Sequence, residues 1–272
     1  MATTKKVTRV SGGEDTLQRE TFVPTPENKG KATQLRVIAG ILWFLAICAQ
    51  IGAISLLFRP PVSMTWIIIL IVVDLVLVII GSILWKRSNR LDPASEKNKF
   101  KFFMQSQLGL VAAIVAFLPL VIFILTSKNI DGKQKGILGG IAVVALIAAG
   151  IVGTDFNPPS VEKYTEQSNY VKELTGVDHV YWTKSGTKYH LYNDCQYLKS
   201  DRTTEIFEGG SVADAYANNR KIKPEMSSLC SACEKRAAKE KGWTDEQLQQ
   251  AKDNALSSVQ NAVQSQGDTN KK

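Results

Sequence analysis

The sequence predicts an α-helical membrane protein with four transmembrane helices, followed by a small α+β domain and a C-terminal helix. Three observations carry this prediction. Apolar stretches fill most of residues 35–154, three of them near the ~20 residues that a hydrocarbon core of about 30 Å demands and a fourth slightly short. Beyond residue 155 the composition turns polar and charged. Within that second half, His190, Cys195, Cys230 and Cys233 have the spacing of a closed tetrahedral zinc site, which makes the small α+β domain a zinc-binding one.

Residues 1–34 form a basic tail with Gly12-Gly13, Pro24, Pro26 and no sustained apolar period, and are expected to be disordered. A tail of this length ahead of the first apolar run, with no small-residue cleavage site after it, does not read as a signal peptide. The stretches Val37–Phe58, Val62–Trp85, Phe102–Thr126 and Ile137–Gly153 form the transmembrane domain, 35–154. They lack the polar stripe that helices of a soluble bundle carry. Pro119 is expected to kink the third. In the fourth, Gly136, Gly140, Ala145, Ala149 and Gly153 allow close backbone approach, within the bundle or against a second copy.

Asp74 stands in the second membrane helix, where an unpaired ionisable group costs several kcal/mol. It is expected to face other helices, towards Gln50 of the first, as a structural polar pair or an ion or proton site. Cys48 reads as a small apolar filler.

Lys5, Lys6, Arg9, Arg19, Lys29, Lys31 and Arg36 precede or open the first helix, and Lys86, Arg87, Arg90, Lys97, Lys99 and Lys101 lie around the second loop. The opposite loops hold only Arg59 and the trio Lys128, Lys133 and Lys135. The positive-inside bias therefore puts both termini, and the zinc domain, in the cytoplasm.

Residues 155–178 read as a helical linker: Pro158-Pro159 end the last span, and Ser160–Leu174 forms a short helix with Val161, Tyr164, Val171 and Leu174 as its apolar members. The zinc-binding domain, 179–242, opens with a hairpin, Val180–Thr183 and Thr187–Leu191, turning on Lys184-Ser185-Gly186 with Gly186 available for positive φ. Its second strand delivers His190. Cys230 and Cys233 converge from one turn, and joining the two pairs closes a loop of roughly 35 residues at modest entropic cost. A domain of this size has little core of its own, and structural zinc supplies roughly 10–16 kcal/mol.

Other chemistry for these residues stays open: a disulfide from Cys195 to Cys230 or Cys233, a redox Cys-x2-Cys, reactive zinc thiolates, or iron. Three thiols leave one over under any disulfide scheme. Ser211 can cap a helix from Val212 to Asn219, and Cys233 opens another to Lys241. The C-terminal helix, 243–264, starts on a Thr244/Gln247 capping box with Trp243 stapled to Leu248, and 265–272 is a polar tail. His179 reads as a solvated loop residue.

The string VYWTKSGTKYHLYNDCQYL, followed by EGGSVADAYANNR and LCSAC, resembles small bacterial zinc modules similar to the metal-binding domain of the DNA-repair protein Ada. The resemblance covers about a fifth of the chain. It implies zinc on His190, Cys195, Cys230 and Cys233, and it implies no activity, because such modules are appended to unrelated proteins. Ada itself accepts a methyl group on a zinc-bound thiolate, but with four Cys where this chain has His190. That transfer is therefore not carried over.

The formal charge of +8 is uneven. Before residue 154 there are 17 basic and 8 acidic residues; after it, 16 and 17. The surplus belongs to the membrane half, where it suits orientation and anionic lipid, so nucleic acid is not an expected partner. There is no Ser-His-Asp pattern, phosphate loop or His-Glu-x2-His, and the chain has only two His, so no enzyme is expected. The expected function is a multi-pass membrane protein whose structural zinc module serves interaction or assembly, with the lipid bilayer and a protein partner or second copy as partners. The alternative is a small transporter or channel component, Asp74 on its pathway and the zinc module as regulator.

Overall fold

The computed structural model describes residues 21–198 and 206–267. Four long helices, α1 (Pro26–Leu57), α2 (Met64–Leu91), α3 (Lys99–Thr126) and α4 (Gly132–Gly153), pack as an up-and-down bundle. All four are long and apolar enough to cross a membrane. Their outer faces expose Phe44, Ile51, Val72, Ile122 and Val144, side chains that suit lipid. Inside, Ala46, Ala53, Ile71, Phe117, Leu120, Ala145 and Ala149 are buried. Water drives nothing together at this depth, so small residues that admit close packing hold the bundle.

The small-residue run of α4 divides between two faces. Ala145, Ala149 and Gly153 are buried, whereas a side chain at Gly136 or Gly140 would meet nothing within 4 Å. The step from Gly140 to Ala145 is five residues, which turns a helix by roughly 140° and moves the run to another face. At the buried end, a Cβ on Gly153 would lie 2.5 Å from the Gly109 carbonyl oxygen of α3, so the two backbones touch there. α3 continues as a helix through Pro119.

α1 starts inside the segment read as a disordered tail. Thr25 caps it, its Oγ1 accepting from the Asn28 N–H at 3.2 Å, Pro26 fits the first turn, and Glu27 pairs with Lys31 one turn on at 2.6 Å. The preceding residues are also placed: the Phe22 N–H donates to Thr165 Oγ1 at 2.9 Å, and its ring meets Tyr164 edge-on. Residues 1–20 of that tail, and 268–272 at the other end, lie outside the described residues.

The second half is a small, mostly helical domain: α5 (Val161–Thr175), β1 (Val180–Thr183), β2 (Ile206–Gly210), α6 (Val212–Asn218), α7 (Ser231–Glu240) and α8 (Asp245–Gly267). α5, expected as a spacer, contributes Tyr164, Tyr170, Val171 and Leu174 to the same buried core as Trp182, Tyr189 and Tyr216. It ends on Gly176 at φ +83°, whose N–H returns to the Lys172 carbonyl. The two-stranded sheet pairs β1 antiparallel with β2, not with the expected 187–191 strand. That segment keeps one bridge to β1, Tyr181 and His190 exchanging both backbone hydrogen bonds at 2.8 Å. Gly186 does not have positive φ; it is needed for space, since a Cβ there would sit 2.6 Å from Thr183 Oγ1.

The cap expected at Ser211 forms, as one half of a capping box with Asp214, and so does the capping box expected at Thr244 with Gln247. α8 lays Leu248, Ala251 and Ala255 on the core beside α5 and runs as a helix to Gly267, past the expected end at 264.

The domain is bolted to one end of the bundle. Arg90, in the last turn of α2, donates from Nη1 to the carbonyls of Tyr216, Asn219 and Ile222 at 3.2, 3.3 and 3.1 Å, and from Nη2 to that of Arg220 at 3.0 Å. Tyr164 donates its hydroxyl to the Arg90 carbonyl at 3.0 Å. The Glu162 carboxylate accepts from the Ser95 hydroxyl and the Glu96 N–H in the loop between α2 and α3.

Candidate metal centre

Backbone pairing brings the distant segments of the site together. The Tyr189 N–H donates to the Ser228 carbonyl and the Cys230 N–H to the Tyr189 carbonyl, both at 2.9 Å. This parallel bridge sets His190 beside Cys230, and the Tyr181 bridge ties both to β1. Cys230 caps α7, which starts two residues ahead of expectation at Ser231, so Cys233 sits in its first turn. The amides there carry partial positive charge, which favours thiolate sulfur. Cys195 arrives on the turn 192–195, its N–H donating to the Tyr192 carbonyl at 3.3 Å.

The four side chains expected as ligands are thus one cluster. Their donor atoms all lie within 4.8 Å of one another, and every one of the residues is buried, at 2–7% exposure. His190 Nδ1 and Cys233 Sγ are 3.7 Å apart. A tetrahedral ion with metal–sulfur bonds of about 2.3 Å and a metal–nitrogen bond of about 2.0 Å puts neighbouring donors about 3.6 Å apart. The cluster meets that spacing at one edge and needs to contract by roughly 1 Å at its widest. Three soft sulfurs and an imidazole suit zinc or iron far better than calcium or magnesium.

The electrostatics agree. Burial, helped by the Lys188 ammonium, lowers the His190 ring to about 4, so it is neutral near pH 7 with a lone pair to give. Burial raises the Cys233 thiol to about 12; the Leu191 N–H works the other way, while Cys195 and Cys230 add to the rise. Three sulfurs at this distance cannot all ionise unless a cation sits among them, and a dication inverts their acidity.

Around the donors, charged side chains pin one loop to the other. Arg236 on α7 donates to Asp194, next to Cys195, at 2.8 Å, to Glu240 at 3.0 Å, and lies 4.0 Å over the Tyr192 ring. Glu234, next to Cys233, accepts from the Tyr170 hydroxyl at 2.7 Å and pairs with Lys252 of α8 at 2.9 Å. None of these contacts was expected from the sequence, although an acid beside Cys195 and a base three residues after Cys233 were visible as an opposite-charge pair. A cleft of about 390 Å³ opens beside His190 and Cys230, edged by Lys188 and the exposed Tyr197.

The intramembrane pair does not form. Asp74 is fully buried, and among the described residues neither carboxylate oxygen has a hydrogen-bond partner. Gln50 donates instead to the Val115 carbonyl of α3 at 3.2 Å, a backbone acceptor that satisfies the amide without the acid. Cys48 is exposed on α1 and is not one of the four clustered donors, and His179 is exposed with its ring edge-on to Tyr181.

Fold and site together define a multi-pass membrane protein carrying a buried one-histidine, three-cysteine group able to hold a metal ion. No protein-family model, curated protein or solved structure matches the chain.

Proposed function

We propose that the chain is a multi-pass membrane protein whose soluble domain is a structural zinc module, held at the cytoplasmic face as an interaction or assembly element, without catalytic activity. The convergence of four buried donors from two separate loops carries this reading. Four protein ligands fill a tetrahedral zinc and leave no position for substrate. The likeness of the Tyr-His-x4-Cys and Cys-x2-Cys segments to Ada-type modules supports zinc over iron. The basic residues at the α1 start and the α2–α3 loop, at the end of the bundle where the domain sits, support a cytoplasmic side. The cleft edged by Tyr197 is the surface a protein partner or second copy would use.

Zinc quantification on the purified chain and on Cys230→Ser tests the reading. The wild type is expected to carry one zinc per chain; the variant is expected to lose it and to unfold residues 180–235 while the four helices still insert. Undiminished zinc in Cys230→Ser would overturn the assignment.

Asp74 favours a second reading. A lone buried carboxylate costs several kcal/mol inside a membrane unless a proton or cation joins it, as on a transport pathway. Proton or cation flux in liposomes that Asp74→Asn leaves unchanged would remove that reading.

A further inference from the structure

A cleft of about 570 Å³ opens where the first turns of α1, the last turns of α2 and the short α6 meet. Its depth in the bilayer follows from length. α1 has 32 residues, about 48 Å of helix, while a hydrocarbon core takes about 30 Å. The apolar run begins only at Val37, so residues 26–36 stand among the headgroups.

The walls are graded along α1. Leu35 and Ile38 line the cleft towards the apolar run, and Glu27 and Lys31 line it nearer the helix start. Arg87 of α2 and Asp214 of α6 complete the charged part. These charges are not equally free. Lys31 is held by Glu27 at 2.6 Å, and one oxygen of Asp214 accepts from the Ser211 N–H and hydroxyl at 2.9 and 2.8 Å. Arg87 is exposed and makes no ion pair among the described residues. With Glu27 and Lys31 paired to each other, the cleft offers one unengaged guanidinium, that of Arg87, and one carboxylate, that of Asp214, whose second oxygen makes neither of those bonds.

The Glu27–Lys31 pair is neutral overall, so a headgroup with only negative charge would meet Arg87 favourably and Asp214 unfavourably. One that joins a phosphodiester to a primary ammonium satisfies both signs, and the ammonium has N–H groups to donate to the Asp214 carboxylate. A choline headgroup has the charge but no N–H. We propose that this cleft seats a phospholipid of the phosphatidylethanolamine type, its phosphodiester on Arg87, its ammonium on Asp214, and its acyl chains leaving over Leu35 and Ile38. The proposal is independent of the metal.

The test is native mass spectrometry of the full chain in detergent, with phosphatidylethanolamine, phosphatidylcholine and phosphatidylglycerol of matched acyl chains added in turn. Ethanolamine lipid is expected to be retained roughly tenfold better than either of the others, and Arg87→Gln to lose roughly tenfold of that retention, the scale of one charge-assisted hydrogen bond. Arg87→Lys should keep most of it, and Asp214→Asn, whose amide oxygen can still cap α6, should narrow the gap between ethanolamine and choline lipids. Equal retention of all three lipids, preference for phosphatidylglycerol, or an Arg87→Gln variant that binds like the wild type would overturn the proposal.

Discussion

Arg236 is half exposed, and a single exposed ion pair contributes little. It matters here because three contacts converge on it. Its guanidinium joins Asp194 and Glu240 and covers the Tyr192 ring, while the Tyr192 hydroxyl donates to Glu240 at 2.7 Å. The loop that carries Cys195 is thereby fastened to the helix that carries Cys233 before any ion arrives. Partners of this kind, one step out from the ligands, commonly alter metal affinity by 10- to 100-fold. Arg236→Ala is expected to weaken metal binding roughly tenfold, at the low end because Arg236 is half exposed, with the fold retained. Competition against a chromogenic chelator measures it; an unchanged affinity would show that the ligands need no such bracing.

Among the elements, α3 and α4 approach closely enough for their backbones to touch. Backbone meets backbone at Gly109 and Gly153, where each added Cβ would fall under 3 Å from the facing carbonyl oxygen. Gly153→Ala is expected to push the helices apart and to destabilise the bundle by about 1–3 kcal/mol, as overpacking does. Gly140→Ala, in open space on the same helix, should be neutral or slightly stabilising. Unfolding of both variants in mixed detergent micelles compares them directly, and equal midpoints would contradict the contact. The two positions belong to one run in the sequence, and nothing in their spacing says which of them faces α3. That depends on the five-residue step that rotates the run between Gly140 and Ala145.

Over the whole molecule, the guanidinium of Arg90 is the bolt between bundle and soluble domain. Four carbonyls from residues 216–222 surround it, and Asn219, which supplies one of them, also donates its side-chain amide to the Thr183 and Gly186 carbonyls at 2.7 Å, in the turn that leads to His190. The end of α2 is thus joined through a short chain of polar contacts to the segment that carries His190 of the four-donor cluster. Arg90→Gln is expected to leave metal binding intact but to raise amide hydrogen exchange in residues 212–222 and in the α2–α3 loop, since the part-buried carbonyls of Tyr216 and Ile222 lose a donor, at up to about 1–3 kcal/mol each. Protection equal to the wild type in both segments would show that Glu162 and Tyr164 hold the domain without it.

By itself, the amino-acid order determined the four apolar helices, the polar half that follows and the set of four donors. Each of these is a local property: hydrophobic length, composition, and the few residues that a thiol pair or a His-x4-Cys turn can span. The tertiary structure decided everything that depends on which faces meet. It moved α5 from spacer to core, because Tyr164, Tyr170 and Leu174 found an apolar partner only when the domain closed around them. It gave β1 a partner in β2, left Asp74 without Gln50, and surrounded Arg90 with carbonyls from more than 120 residues away. Backbone acceptors carry no signature in their residue type, so a contact made to them becomes visible only once the chain has folded.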